Sequence, residues 1–356
     1  MENLMVKNES VLETIDALTM GHGFHKFDGN ITIAECMEQI GANYNVGLQS
    51  LVRLTPDQLN KLLNGEAITD FDARQKIDTH KATVMLERNH TLGVVGSDYG
   101  VIQNQTAFDL FGMLCDPKQD EHLQIVSAGL VDNYDPYIQA VFPFVGRVDG
   151  DKSDTAFYCF AHTSHDGTSA LQIRFSPVRV VCKNTFMANI SSKIGLTYKH
   201  SKFVNERVDL ENPENIRKIA AKLSIFKEIS NEYIETMNSL AKQKVDDKYI
   251  NDFIAKVFDV SDKEKENFEE LSTRKKNLIT DFKNTLYSDT LGQDFAVGTK
   301  VWLFNGLTNY LSNTAGYGNS KDTEEVFAQK RFDSMLKGGA NLKFEKGYNF
   351  LTAVAA

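Results

Sequence analysis

Four strand-like runs between residues 123 and 182 are joined by short turn-forming connections, a spacing that favours antiparallel hairpins over βαβ units. The runs are Leu123 to Leu130, Tyr137 to Val145, Ala156 to His162 and Ala170 to Cys182, several rich in β-branched or aromatic residues. The connections (VDNYDP, RVDGDKSD, SHDGTS) carry the Asp and Gly residues that tight turns require. Upstream, Tyr44 to Arg53, Ala82 to Glu87 and Leu92 to Gly96 read as further strands. Short helices sit among them. Ser10 with Glu13 and Thr32 with Glu35 form capping boxes, and Thr55-Pro56 with Gln58 repeats the signal. Another short helix is expected from Gln105 to Cys115.

The pattern changes after residue 206. Asn212-Pro213 is a helix-start signal, and Ile219, Leu223, Phe226, Tyr233, Met237 and Leu240 then form one apolar stripe at helical spacing. A second helical pair is expected over Lys248 to Phe258 and Asp262 to Tyr287, opened by a Ser261/Glu264 box. Its dense mixed charge (DKEKENFEELSTRKK) reads as a solvated helix face. Val301 to Leu311 is apolar nearly all round and holds the only Trp, Trp302, which predicts a buried helix. The expected class is therefore α+β, with an antiparallel sheet and short helices first and long helices after. The expected divisions are an α+β domain over 1–205, a helical region over 206–295, and C-terminal helices or a strand over 296–356 packing back on the first domain.

Length and composition narrow the options. A chain of 356 residues suffices for one large domain or two ordinary ones. No run of about 18 apolar residues is present, so a membrane span is not expected. The first residues (MENLMVKNES) do not resemble a signal peptide. Cys36, Cys115, Cys159 and Cys182 are scattered without a C-x-x-C pair, as free thiols of a cytoplasmic protein would be.

The most informative stretch for function is Gly167 to Asn205, which contains no Asp or Glu. It holds six cations, Arg174, Arg179, Lys183, Lys193, Lys199 and Lys202, with His200 beside them and Phe175, Phe186, Tyr198 and Phe203 interleaved. The chain carries a net charge of -9, so removing these six leaves -15 on the remainder. A basic, aromatic island in an acidic protein suggests one face that meets a polyanion. Cations track phosphates and rings stack on bases. The competing reading makes Phe175, Phe186 and Phe203 core residues and the cations ordinary surface. Lys183-Asn184-Thr185 reads as the start of a short helix whose N-terminus would favour a phosphate.

Other chemistries find less support. His22/His25 and His162/His165 are H-x-x-H pairs, the second followed by Asp166, but neither matches a metal-ligand spacing and no metal is expected. A hydrolytic reading would use His162, His165, Asp166 and Cys182. A nucleophilic Cys182/His200 pair has nothing in the sequence to join it. No phosphate-binding glycine motif follows a strand, so no nucleotide cofactor is expected.

The run SHDGTSALQIRFSPVRVVCKNTFMANI resembles the signature of the phage/plasmid-like protein family, a domain of unknown function found in bacteriophages, plasmids and prophages. LGVVGSDYGVIQNQTAFDLF (residues 92–111) and GTKVWLFNGLTNYLSN (residues 298–313) are similar to other family segments, with Asn305, Thr308 and Tyr310 on its Asn-Ala-x-Thr-x-Tyr pattern. This chain has His22-Gly23-Phe24-His25 where the family usually carries a Trp-His-Gly-Leu-Gly-like segment, and Gly306 where Ala is usual. The resemblance implies a mobile-element protein of the bacterial cytoplasm and supplies no catalytic residues. The functional expectation is an oligomeric single-stranded DNA-binding protein of phage or plasmid recombination, with annealing as its activity. Its binding residues would be Arg174, Arg179, Lys183, Asn184, Lys193, Tyr198, Lys199, His200, Lys202 and Phe203. The alternative is a non-enzymatic structural or host-interaction protein, whose acidic surface would imitate nucleic acid.

Overall fold

Helix starts follow the capping chemistry. In the computed structural model, Thr32 and Glu35 exchange bonds (Thr32 N to Glu35 Oε2, 2.9 Å; Glu35 N to Thr32 Oγ1, 3.3 Å) and open helix α1, Ile33–Ile40. Thr55 and Gln58 do the same for α2, Pro56–Leu63, with Pro56 in the first turn. The structure describes residues 25–27, 31–115, 122–131, 134–179, 184–185, 196–209, 212, 214–215, 217–218, 225–267, 270–290, 293–319, 321–323, 326–327, 330–331, 334–335 and 338–353. The Ser10/Glu13 box, His22 and Cys182 lie outside these residues.

Two antiparallel sheets organise the first half. The smaller has the order β2 (Val46–Val52), β3 (Lys76–Met85), β4 (His90–Gly96). The larger begins with β1 (His25–Lys26) beside β5 (Gln124–Val131). It continues as a meander through β6 (Asp135–Gly146), β7 (Thr155–His162) and β8 (Leu171–Arg179). The outer edge of β8 is shared. β9 (Asn184–Thr185) pairs with Val178 and Arg179, and β10 (Leu196–Tyr198) pairs with Leu171 to Ile173. The backbone at Asn184 and Thr185 is therefore extended. The remainder of the short helix expected to open at Lys183-Asn184-Thr185 lies outside the described residues.

Strand β7 is buried at every position, since both faces of its sheet are covered. Phe157, Cys159 and Ala161 point into one core, with Ile138, Ile173 and Phe175 from neighbouring strands. There they meet Cys36 and Met37 of α1, and Phe108 and Phe111 of α3 (Asn104–Gly112). Tyr137 and Phe160 enter the second core, formed with the helices of the later chain. The later helices are α4 (Val204–Val208), which packs on the first core, and α5 (Phe226–Ala241), α6 (Asp247–Val257), α7 (Asp262–Glu266), α8 (Thr273–Leu286), α9 (Lys300–Asn309) and α10 (Gly339–Thr352). Phe253, Phe282, Trp302, Phe304 and Phe344 fill the second core. At about 25 cal/mol per Å² of apolar area, these aromatics dominate its stability.

Two details differ from sequence expectation. The helix expected over Asp262 to Tyr287 is divided, because Ser272 accepts a bond from Lys275 N (3.3 Å) and starts a new helix. The apolar helix α9 runs into a π-type turn at Tyr310–Thr314. Among the described residues, no helix is long and apolar enough to cross a membrane.

Candidate functional site

The loop from β7 to β8 builds the site. Thr163, Ser164 and His165 are buried, and Asp166 then turns the chain. Asp166 Oδ1 accepts from Ser164 Oγ (2.8 Å), Thr168 N (2.8 Å) and Thr168 Oγ1 (2.6 Å), and Gly167 takes a φ of +85° that a side chain would strain. The loop is pressed against the smaller sheet. Thr83 of β3 donates to the His165 carbonyl (2.6 Å), and Gly93 of β4 lies directly against Asp166.

The segments around Tyr99 and His200 close the other side. Their rings stack at 4.9 Å with 4° between planes, and the Tyr99 hydroxyl donates to the Ser164 carbonyl (3.3 Å). His200 is 3.1 Å from Thr163 Oγ1 through Nε2 and 3.2 Å from the Gly100 carbonyl through Nδ1. The close approach at Gly100 is obligatory, since a Cβ there would sit 2.1 Å from the Ser201 carbonyl oxygen. His165 Nε2 lies 2.8 Å from Asn104 Oδ1. Burial lowers the pKa of His165 to about 3 and that of His200 to about 4. Both rings are therefore neutral near pH 7.

Between these elements opens a cleft of about 470 Å³. Its walls include Val94 to Gly96, Tyr99, Asp166, Thr168, Ser169 and His200, with Lys199 as its cation. Beyond Lys199 the chain presents Lys202 and Phe203. Phe203 is 57% exposed, and the Lys202 ammonium lies 5.8 Å from its ring centroid. A second cleft, of about 710 Å³, lies beside α4 and is lined by Asp109, Glu206 and Asp209.

The residues expected to bind nucleic acid thus fall into separate groups. Lys199, Lys202 and Phe203 share an exposed ridge. Tyr198 is half-buried against the first core, and burial raises its hydroxyl pKa. His200 is turned inward and neutral, so it adds no positive charge to the ridge. Arg174 is only 7% exposed and is not part of that surface. It pairs with Phe160 across the β7–β8 ladder, on the sheet face the later helices cover. Burial lowers its pKa, opposed by the charge of Glu345 on α10. Lys183 and Lys193, and the side chains of Arg179 and Asn184, lie outside the described residues. Phe186 does as well, whereas Phe175 is a fully buried core residue.

Among the described residues the hydrolytic set is not gathered, and Cys182 lies outside them. His162 and His165 are buried on different partners, His162 near Ser169 Oγ (3.5 Å) and His165 on Asn104. Among the described residues, no three His, Cys, Asp or Glu side chains are grouped so as to hold a metal. Sequence reasoning overlooked Tyr99, Thr168 and Ser169. The only available signal was the sequence similarity of residues 92–111.

Fold and site define an α+β protein with an antiparallel meander, a helical cover and a small basic ridge beside a polar cleft. The chain belongs to the family described as domain of unknown function DUF932, whose model matches residues 91–336. No curated protein and no solved structure matches it.

Proposed function

We propose that the protein binds single-stranded nucleic acid along the ridge from Lys199 to Phe203. A phosphate would seat at the cleft mouth on the Lys199 ammonium, while a base stacks on the exposed ring of Phe203. The observation that carries this reading is the solvent-exposed Phe203 with the Lys202 cation over its ring, three residues from the cation of the cleft. A base stacked on that ring would contribute about 1–3 kcal/mol. The natural setting is phage or plasmid DNA metabolism in a bacterial cytoplasm, with annealing by an oligomer as the activity. Neither a bound nucleotide nor a metal is needed.

Fluorescence anisotropy with a labelled oligonucleotide tests the reading. Two phosphate contacts through Lys199 and Lys202 correspond to a log–log salt slope of roughly -1.4 on a single strand. Phe203→Ala should weaken binding about 5- to 150-fold, the equivalent of one stacked base. Affinity that is unchanged in both Phe203→Ala and the Lys199→Glu/Lys202→Glu double variant rules the ridge out.

A second reading rests on the acidic cleft lined by Asp109, Glu206 and Asp209. Its carboxylates repel nucleic acid and suit a non-enzymatic contact with a basic host protein. The Lys199→Glu/Lys202→Glu variant would keep such a partner while losing any oligonucleotide.

A further inference from the structure

We infer that the free edge of β2 is an interface where a second copy of this chain adds its own β2, extending the small sheet across a twofold axis. The inference is independent of the nucleic-acid reading.

Backbone geometry sets which groups are available. Leu86 N donates to the Asn45 carbonyl (2.9 Å) and Asn45 N to the Glu87 carboxylate (2.9 Å), so Gly47 and Gln49 direct their amides inward to β3. Val46, Leu48 and Ser50 direct theirs outward. At Val46 this is visible directly. The Gln103 side chain accepts from Val46 N (2.9 Å) and donates to the Val46 carbonyl (2.9 Å), occupying the place of a neighbouring strand. That cover stops at Val46. Leu48, Gln49 and Ser50 are all exposed.

Strand β2 shifts register on β3 between Ser50 and Leu51, which leaves Val46 to Ser50 as its regular stretch. Its sequence, VGLQSLV, has no charge and no proline. Surrounding apolar surface is concentrated on the same arm. Of the fifteen large hydrophobic residues exposed among the described residues, nine lie between Leu48 and Val94. Leu59, Leu62 and Leu63 of α2, with Val52 and Ile77, are among them.

Charge selects a second copy as the occupant. Residues 46–96 hold six Lys or Arg and six Asp or Glu, so the arm is neutral in a chain of net charge -9. Two copies approaching arm to arm avoid the repulsion that any other approach entails. Antiparallel pairing centred on Gln49 sets Leu48 opposite Ser50 of the second copy, and Ser50 opposite its Leu48. Both are hydrogen-bonded pairs, giving four backbone bonds and an isologous contact.

The test uses the full chain. Light scattering over about 1–100 μM should give twice the chain mass, falling to the single-chain mass in Leu48→Pro and Ser50→Lys. Proline at Leu48 removes only an outward amide, and Ser50→Lys keeps the proposal testable should Leu48→Pro fail to fold. Gln49→Cys should form an inter-chain disulfide under mild oxidation, because the Gln49 Cα atoms would face each other at about 4.5 Å. A monomer throughout that range overturns the inference. So does a dimer that persists in Ser50→Lys and leaves Gln49→Cys uncrosslinked.

Discussion

Gly93 and Asp166 touch so closely that a Cβ on Gly93 would lie 2.5 Å from the Asp166 Cα and 3.0 Å from its carbonyl carbon. This contact joins the small sheet to the β7–β8 loop, and through that loop to the cleft. Its atoms are backbone on the Asp166 side, so no side-chain rotation can relieve an added methyl. Gly93→Ala should therefore lower stability by about 1–3 kcal/mol, the usual range for overpacking. It should also weaken ligands of the cleft, because the loop must move away from β4. Denaturant unfolding of the two proteins measures the first effect, and an unchanged midpoint would show that the sheets separate freely.

Acid should loosen the same junction through its two buried histidines. An unfolded histidine titrates near 6.5, whereas burial lowers His165 to about 3 and His200 to about 4. Above pH 6.5 both states are neutral and nothing changes. Below it the unfolded chain takes up protons first, so stability falls between pH 6.5 and about 4. Each ring contributes a loss of about 2 kcal/mol at pH 5. The Asp166 carboxylate and the neighbouring His200 oppose each other at His165, the first raising and the second lowering its pKa. Urea unfolding at pH 7 and pH 5 should show the loss, and His165→Gln should halve it. Equal stability at both pH values would mean that neither ring is as enclosed as the contacts imply.

Arg174 and Lys199 should separate stability from binding. Truncating Arg174 removes a charge enclosed between the sheet and α10, where Glu345 is its counter-charge. Arg174→Ala is expected to cost about 3 kcal/mol in stability and leave the salt dependence of oligonucleotide binding unchanged. Lys199→Ala should do the reverse, with unfolding unaltered and a salt slope smaller by about 0.7. Thermal unfolding and anisotropy on both variants decide the matter. A reduced slope in Arg174→Ala would return this residue to the binding surface.

Much of the fold was readable because its signals are local. Thr32 with Glu35, Thr55 with Gln58 and Ser261 with Glu264 need only four residues to define a cap, and each opens a helix. The hairpins from β5 to β8 follow from short turns. Side-chain direction was less accessible. Arg174 and Phe175 are adjacent on one strand, yet they enter different environments because both faces of the sheet are covered. Nothing near Arg174 in sequence announces α10, about 170 residues later. The cleft was hidden for the same reason, since Tyr99, Thr168 and Lys199 converge only through the packing of β4 on the β7–β8 loop. The ridge itself was legible because Lys199, Lys202 and Phe203 are neighbours in the chain.

Gly306 carries the last prediction. It sits inside α9, where the resemblance drawn from the sequence places Ala in related chains. Alanine stabilises a helix interior by about 1 kcal/mol over glycine. Here, however, a Cβ would lie 2.4 Å from Leu286 Cδ1 and 3.2 Å from Gln293 Nε2. Leu286 is fully buried, and Gln293 holds the Trp302 carbonyl (3.2 Å), so neither can withdraw freely. Overpacking of about 1–3 kcal/mol should outweigh the helical gain, leaving Gly306→Ala less stable by up to about 2 kcal/mol. Leu286→Val removes the clashing methyl and loses packing of its own, at about 0.5–1.5 kcal/mol. Combined, the two substitutions should be less damaging than their sum by about 1 kcal/mol in a double-mutant cycle. Strict additivity would show that α9 shifts to accept the methyl without help from Leu286.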